Sequence, residues 1–405
     1  MPQTLPRLRL DLDFMPSPAP DHPGLLIRDP YHYSDATLII PPPLVACLRL
    51  FDGERTESDL RAALFEITND LRVGELQQHL VNTLSQAGFF HDEVYERLKE
   101  SQQTAFAEAP QRLPAHAGAA YPEQPDLLRE TVRGWMDGKA PATGSDSLVG
   151  IAAPHVSPDG GPESYRAAYA ALGPQLRDRV FVVLGTSHYG EPERFGLTRK
   201  PFVTPFGEAA TERGLVDWLA AEAGPAVKME DYCHAVEHSI EFQVLFLQHL
   251  FGAGIRILPI LCGPFAKSIL GGGKPEDDEN VHRFLDALGE LAAREGQRLF
   301  WVLGVDMAHM GRRYGDPFTV HADEGQMSAV ADLDRGRIER IGASDAEGFW
   351  DAVQENRDAL KWCGSAPFYT FLRAVPRAQG ELLHYQQWNI DDQSVVSFGA
   401  MTFRH

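Results

Sequence analysis

The sequence predicts an α/β fold, a central mixed sheet flanked by helices, with a small winged-helix-like unit in front of it. Three observations predict this. From about residue 148, apolar strand-like runs alternate with amphipathic helical segments. Near the carboxyl end "ELLHYQQW" and "SVVSFGAMTF" follow each other with no helix between them, so part of the sheet is antiparallel. Upstream, the stretch "ESQQTAFAEAPQRLPAHAG" (100–118) is rich in Gln, Ala and Pro with little apolar periodicity, as a linker is. The resulting division is 1–100, a linker at 101–111, and 112–405.

In the N-terminal part, "GLLIRD" and "ATLII" read as short strands, and "PPPLVACLRLFDG" as a helix entered through prolines and closed at Gly53. Thr56 and Asp59 have the spacing of a capping box in front of "ESDLRAALFEITND", and "GELQQHLVNTLSQ" forms a further amphipathic helix stopped at Gly88. Two strands, three helices, the "LFDGERT" turn and "LSQAGFF" resemble the small winged-helix domains of the PqqD type, over roughly residues 25–97. That resemblance implies a peptide partner in modified-peptide biosynthesis. A DNA-binding winged helix fits less well, because Glu57 to Arg97 holds eight Asp or Glu against three Arg.

In the larger part the strands are "LVGIAA" (148–153), "VFVVLG" (180–185), "IRILPIL" (255–261) and "LFWVLGV" (299–305). The helices are "SYRAAYAAL", "TERGLVDWLAAEA" and "VHRFLDALGELAAREG". The segment "GGGKPEDDEN" (271–280) reads as a mobile acidic loop without the alternating ligands of a calcium site.

The chain has 405 residues, 43% of them hydrophobic, ample for a packed core. Its net charge of −20 repels phosphate backbones and anionic lipid, which argues against nucleic acid and membrane surfaces as partners. No apolar run nears the roughly 20 residues of a membrane span and "MPQTLPRLRL" lacks the core of a secretory signal, so a cytoplasmic location is expected. Cys47, Cys233, Cys262 and Cys363 are widely spaced, which excludes a zinc ribbon and leaves any cysteine chemistry to a single thiolate.

The chemistry concentrates just past the strands. "LVGIAA" leads to Pro154-His155, "VFVVLG" to Thr186-Ser187-His188, and "LFWVLGV" to Asp306-Met307-Ala308-His309. In open α/β sheets ligands bind at that carboxyl edge. One such histidine is more often a loop hydrogen-bonder than a ligand, but three in matching positions point to a site. "WCGSAPFYTFLRAV" adds Cys363 near the start of a helix, where backbone amides favour a thiolate. A His/His/Cys set suits iron, copper or zinc.

"HAVEHS" (234–239) contains the H-x-x-E-H order of inverted zinc peptidases. That motif needs His234 and His238 on one helical face. Ile240, Val244, Leu247 and Phe251 instead fix a helix whose N-cap is Ser239, leaving "HAVEH" in the approach loop. The hexapeptide then forms one wall of the pocket, with His238 as general acid or base and His234 and Glu237 as supporting residues.

Eight ordered blocks carry a more specific pattern: "RLPAHAGAAYP", "GIAAPH", "VVLGTSH", "TPFGEAATE", "EHSIEFQVLFLQHLFG", "ILPILCG", "GVDMAH" and "CGSAPFYTFLR". Together they resemble the Memo family, whose bacterial members are called AmmeMemoRadiSam system protein B, over residues 112–405. The resemblance implies a fold similar to class III extradiol dioxygenases. It also implies a pocket of His155, His188, Asp306, His309 and Cys363 holding one metal ion, iron or copper. The expected function is thus a metal-dependent, dioxygenase-like oxidoreductase acting on a small molecule or peptide, with His238, His309 and Asp306 in catalytic roles. A zinc-dependent hydrolase and a non-catalytic binding module are the alternatives. "APHVSPDGGPESY" departs from the family's usual A-P-H-A-G-Y loop and adds Asp159 and Glu163 near the pocket, and Ala119-Ala120 replace a usual aromatic. Both changes bear on substrate choice.

Overall fold

A computed structural model describes residues 3–137 and 147–405. They form two compact units, Met1–Glu108 and Ala109–His405. The first contains an antiparallel sheet of β1 (Asp13–Pro16), β2 (Leu25–Arg28) and β3 (Thr37–Ile40), in that order. The strand β1 escapes a sequence reading because "DFMP" is four residues long and ends in proline. After a short α1 (Pro42–Val45) the chain continues as a 3₁₀ turn, Ala46–Leu50, so the single helix expected there is two tighter pieces. Next come α2 (Glu57–Thr68), α3 (Val73–Gln86) and α4 (Glu93–Glu108). The Thr56/Asp59 capping box at α2 forms as read. The expected linker is corrected: α4 runs through its first eight residues, since "SQQTAFAE" holds good helix formers and no glycine or proline.

The second unit is an α/β layout around an eleven-stranded mixed sheet. Its strands are β4 (Leu148–Ala153), β5 (Val180–Thr186), β6 (Phe195–Leu197), β7 (Phe202–Thr204), β8 (Gly207–Thr211), β9 (Val227–Met229), β10 (Arg256–Cys262), β11 (Leu299–Gly304), β12 (His309–Gly311), β13 (Gln379–Asp391) and β14 (Ser394–Arg404). The main path runs β12-β14-β4-β11-β5-β10-β6-β9, with β13 paired to β14 and the β7–β8 hairpin joined to β10 through β8. The central four strands, β4, β11, β5 and β10, are parallel, and the β13–β14 hairpin adds the antiparallel edge. Around the sheet lie α5 (Pro125–Met136), α6 (Pro162–Tyr169), α7 (Arg213–Ala223), α8 (Cys233–Val236), α9 (Glu241–Phe251), α10 (Ala266–Gly271), α11 (Glu279–Glu295), α12 (Gln326–Gly342), α13 (Ala346–Gln354) and α14 (Ser365–Ala374). Two apolar cores fill the two sides of the sheet, for which the continuous burial of β5 and β11 is the signature of parallel strands covered on both faces. No described helix is long and apolar enough to cross a membrane.

Two further readings are corrected. "GGGKPEDDEN" is tied down: Asp278 caps α11 by accepting from the amides of Asn280 and Val281, and Lys274 pairs with Glu347 at 2.5 Å. Around "HAVEHS", Cys233–Val236 make a single helical turn, and α9 starts at Glu241 with Ile240 as its N-cap. Ser239 does not cap; its hydroxyl donates to the Thr186 carbonyl at 2.8 Å. That contact takes precedence because the segment crosses directly over the sheet edge.

Register brings the strand ends level: Gly304 pairs with both Ala153 and Gly185, and Gly185 with Leu261. Glycine is required there. A Cβ on Gly304 would lie 2.1 Å from the Ser239 carbonyl oxygen, and one on Gly185 2.5 Å from the Ser239 hydroxyl oxygen. Gly304→Ala is therefore expected to destabilise the large unit by about 1–3 kcal/mol in urea unfolding. Gly289→Ala on α11, where an added Cβ meets nothing within 4 Å, should be neutral or stabilise by up to about 1 kcal/mol.

Candidate metal centre

At this edge, His155 follows β4, His188 follows β5 and His238 lies in the link between α8 and α9. One potential ligand atom from each lies within 4.8 Å of the others. Ring centroids are 5.0 Å apart for His155–His188, 5.1 Å for His155–His238 and 5.0 Å for His188–His238, the last pair stacked. Thus His238, read from sequence as an acid or base, stands as a third imidazole of the cluster.

Hydrogen bonds fix which nitrogen the rings of His155 and His188 present. His155 Nδ1 donates to the Gly304 carbonyl at 2.9 Å, and its backbone N–H donates to Asp306 Oδ1 at 2.9 Å. Its Nε2 then faces Cys363 Sγ at 3.3 Å and Asp306 Oδ2 at 3.4 Å. Glu237, buried, holds His188 twice: one carboxylate oxygen accepts the backbone N–H and the other accepts from Nδ1 at 3.0 Å. Nε2 of His188 is left for the pocket. A carboxylate behind an imidazole in this way sets its tautomer and raises its basicity.

Charges follow from these contacts. Burial opposes charge on His188, yet Glu237 and Cys363 raise its pKa well above the usual histidine value. For His238, burial and then the neighbouring His188, His155 and His116 push the pKa well below the usual value, so its ring is neutral. Burial raises Asp306 to about 6 against the opposing pull of His309. Burial works against the Cys363 thiolate, but His155 and His188 prevail and bring it down to about 7.

That last shift has a direct chemical consequence. Chelator-treated protein is expected to be alkylated by iodoacetamide at Cys363 with a rate that rises through about pH 7, where an ordinary thiol would rise near 9. Cys47, Cys233 and Cys262 are buried and their pKa values are raised by that burial, so they should stay unlabelled. Peptide mapping across pH 5–10 checks this; an inflection near 9 at Cys363 would contradict it.

The remaining sequence candidates fall at different distances. His309, at the start of β12, directs Nδ1 to the carbonyls of Met307 at 2.9 Å and Lys361 at 3.1 Å, and acts on Asp306 through its charge. Its pKa is lowered, first by burial. His234 turns away, bonding through Nε2 to the Gly196 carbonyl at 3.0 Å, and burial holds its pKa near 4. Asp159 is exposed and accepts from the Trp135 indole at 3.0 Å, so it serves that surface contact instead of the cluster.

Sequence reasoning missed what supports "HAVEHS" from below. Arg112, fully buried, donates to the carbonyls of His234 and Glu237 at 2.7 Å each and pairs with the buried Glu241. Glu241 also accepts from Tyr121 and from the amides of Ala115 and His116. Gln243 donates to the Pro154 carbonyl at 2.9 Å and so ties α9 to the His155 turn. The sequence signals were a glutamate at the start of the largely apolar α9 and an arginine next to a proline loop.

Three imidazoles and a thiolate are a donor set for a transition metal. A separation within 4.8 Å closes, by modest side-chain rotation, onto one ion with metal–nitrogen bonds of about 2.0–2.1 Å.

A family model described as Memo-like protein matches residues 112–402. A MEMO1 family protein of Aquifex aeolicus is 26% identical over 383 residues, 93% of this chain and 95% of its own length. One from Thermococcus kodakarensis is 28% identical over 305 residues, 72% of this chain and 99% of its own. Another, from Thermus thermophilus, is 29% identical over 299 residues, 72% of this chain and 82% of its own.

Proposed function

Because the chain belongs to the Memo-like protein family, we propose that its strand-end pocket holds one iron or copper ion and that the protein is a metal-dependent oxidoreductase with a dioxygenase-like site. The observation that carries this reading is the group His155, His188 and His238, with ligand atoms mutually within 4.8 Å and Cys363 Sγ 3.3 Å from His155. In it, the three imidazoles hold the ion and Cys363 adds an anionic sulfur. When bound, the ion supplies the electron-transfer chemistry that side chains lack.

The protein's own groups do the rest. Glu237 keeps the proton of His188 on Nδ1, and the Gly304 carbonyl does the same for His155. Asp306 can hold a proton near neutral pH at an oxygen 3.4 Å from His155 Nε2, which suits it to pass protons to a bound substrate. His309, with Nδ1 committed to backbone carbonyls, offers Nε2 for the same task.

A zinc hydrolase is the second reading, since a cluster of three histidines is also a hydrolytic zinc set. Cys363 is compatible with both readings, because a thiolate with imidazoles suits zinc as well as iron and copper. Protein purified without added metal, assayed for metal content, oxygen uptake and amidase activity, separates the two. About one iron or copper per chain supports the redox reading; stoichiometric zinc with amide hydrolysis overturns it.

For the N-terminal unit, peptide recognition is proposed alongside. The alignment to the Aquifex aeolicus protein covers 93% of the chain and so extends into that unit. Binding of candidate peptides by the full chain, lost on substitution within residues 25–97, is the test.

A further inference from the structure

The chain approaches Cys363 through four non-glycine residues in left-handed conformations, Asn356 (φ 55°), Arg357 (φ 55°), Asp358 (φ 52°) and Lys361 (φ 53°). Such conformations persist only where their surroundings hold them. Here the hold falls on Trp362, the residue before Cys363. Its backbone N–H donates to Asp358 at 3.0 Å, the Arg337 guanidinium lies 5.2 Å from its ring centre, and its indole Nε1 donates to Asp334 Oδ1 at 2.6 Å. Arg337 also pairs with Asp358 at 2.8 Å.

Asp334, on α12, is fully buried. Its other oxygen, Oδ2, accepts from the Tyr385 hydroxyl at 2.8 Å and from the Ser397 hydroxyl at 2.5 Å. Ser397 is in turn bonded to another segment of the pocket. Its Oγ accepts the Ala308 N–H at 2.8 Å, its carbonyl accepts the Met307 N–H at 2.8 Å, and its own N–H donates to the Ala308 carbonyl at 2.9 Å. Met307 and Ala308 lie between Asp306 and His309. One carboxylate thus joins the segment carrying Cys363 to the segment carrying Asp306 and His309. Its three hydrogen-bond donors, an indole and two hydroxyls, are neutral. Burying a carboxylate on such partners costs more than apolar packing of α12 would. What a fully matched polar group adds is a fixed direction and distance for each donor.

We propose that Asp334 is a positioning residue of the metal centre. Through Trp362 it holds the Cys363 sulfur 3.3 Å from His155 Nε2, and through Ser397 it keeps the Asp306–His309 turn in step with that sulfur. Contact of the sulfur with an ion rests on the reading of the cluster as a metal site. The placing of Cys363 does not, so the two are tested separately. Three donors share the carboxylate but only two lead to the pocket, since the Tyr385 hydroxyl leads back to β13. A merely structural role would make the three interchangeable.

The test uses the full chain loaded anaerobically with cobalt(II) alone, whose thiolate-to-metal charge-transfer absorption reports bonding to sulfur; loss of the band in Cys363→Ser identifies it. Trp362→Phe keeps an aromatic ring but removes the indole N–H, and should lose about half or more of the band while about one cobalt per chain still binds. Asp334→Ala should do the same, and Asp334→Asn, whose amide oxygen can still accept from the indole, should recover most of it. Tyr385→Phe removes a hydrogen bond from the same carboxylate and should leave the band unchanged. In metal-free protein, at a pH where the thiol is ionised in every variant, iodoacetamide should alkylate Cys363 severalfold faster in Trp362→Phe and Asp334→Ala than in the parent, and within about twofold of the parent in Tyr385→Phe. Circular dichroism checks folding, and because Trp362→Phe and Asp334→Ala reach the same loss by two routes, either one decides if the other unfolds. Parent-like alkylation in these folded variants, or an equal effect of Tyr385→Phe, overturns the inference. The expected alkylation rates in a protein that binds no cobalt, or binds it without the sulfur band, uphold the inference and defeat the metal reading, or its thiolate part, alone.

Discussion

Alanine at His155, His188 or His238 is expected to weaken metal binding by more than about a hundredfold. Losing a residue that only orients a ligand typically costs about 10–100-fold, and losing the donor itself costs more. Glu237→Gln, which removes the charge behind His188 but keeps an acceptor for Nδ1, belongs in the lower range, at about tenfold. His234→Ala is the internal control. Its imidazole is bonded to the Gly196 carbonyl, so metal affinity should change by less than about twofold although the residue belongs to the same hexapeptide. Competition with a chromophoric chelator under anaerobic conditions measures the parent and all five variants alike. Parent-like affinity in all three alanine variants would contradict the assignment of the cluster.

The largest stability effect should come from Arg112. Both Arg112 and Glu241 have fully buried side chains, and removing one partner leaves an uncompensated buried charge. Arg112→Met is expected to destabilise the second unit by about 3–5 kcal/mol in urea unfolding. The double variant Arg112→Met, Glu241→Leu should recover part of that loss, because it leaves no orphaned charge. The same pair predicts a pH dependence. Burial alone would raise the Glu241 pKa, but Arg112, then His116 and Tyr121, hold it below its ordinary value of 4.5. A depressed folded-state pKa contributes stability that is fully present above the unfolded value and is lost as pH falls through the folded value. Stability of the parent should therefore fall below about pH 4.5, and the double variant should lose this part of the acid sensitivity.

How far the site was legible follows from which forces are local. His155, His188 and Asp306 could be placed because strongly apolar parallel strands announce themselves, and their carboxyl ends lie level once Gly304 pairs with Ala153 and Gly185. The role of His238 was only half legible. Its hexapeptide could be taken off a helical face from the apolar spacing of α9, but its arrival at the cluster depends on Ser239 resting on the sheet edge, its carbonyl against Gly304 and its hydroxyl against Gly185. No local pattern encodes a contact between such distant segments. Arg112 and Glu241 are separated by 129 positions, and nothing in either neighbourhood names the other. At the N-terminal end, α4 was misread for the opposite reason: Gln and Ala are frequent in linkers and also good in helices, and packing of Phe106 and Tyr95 decides between them.

The most direct measurement is anomalous diffraction from crystals of the metal-loaded protein, recorded at the iron, copper and zinc absorption edges. The account predicts one iron or copper peak per chain, bonded to nitrogen atoms of His155, His188 and His238, with Cys363 Sγ beside it. A fully occupied metal elsewhere, or an empty cluster in protein that has been supplied with each ion, would contradict it.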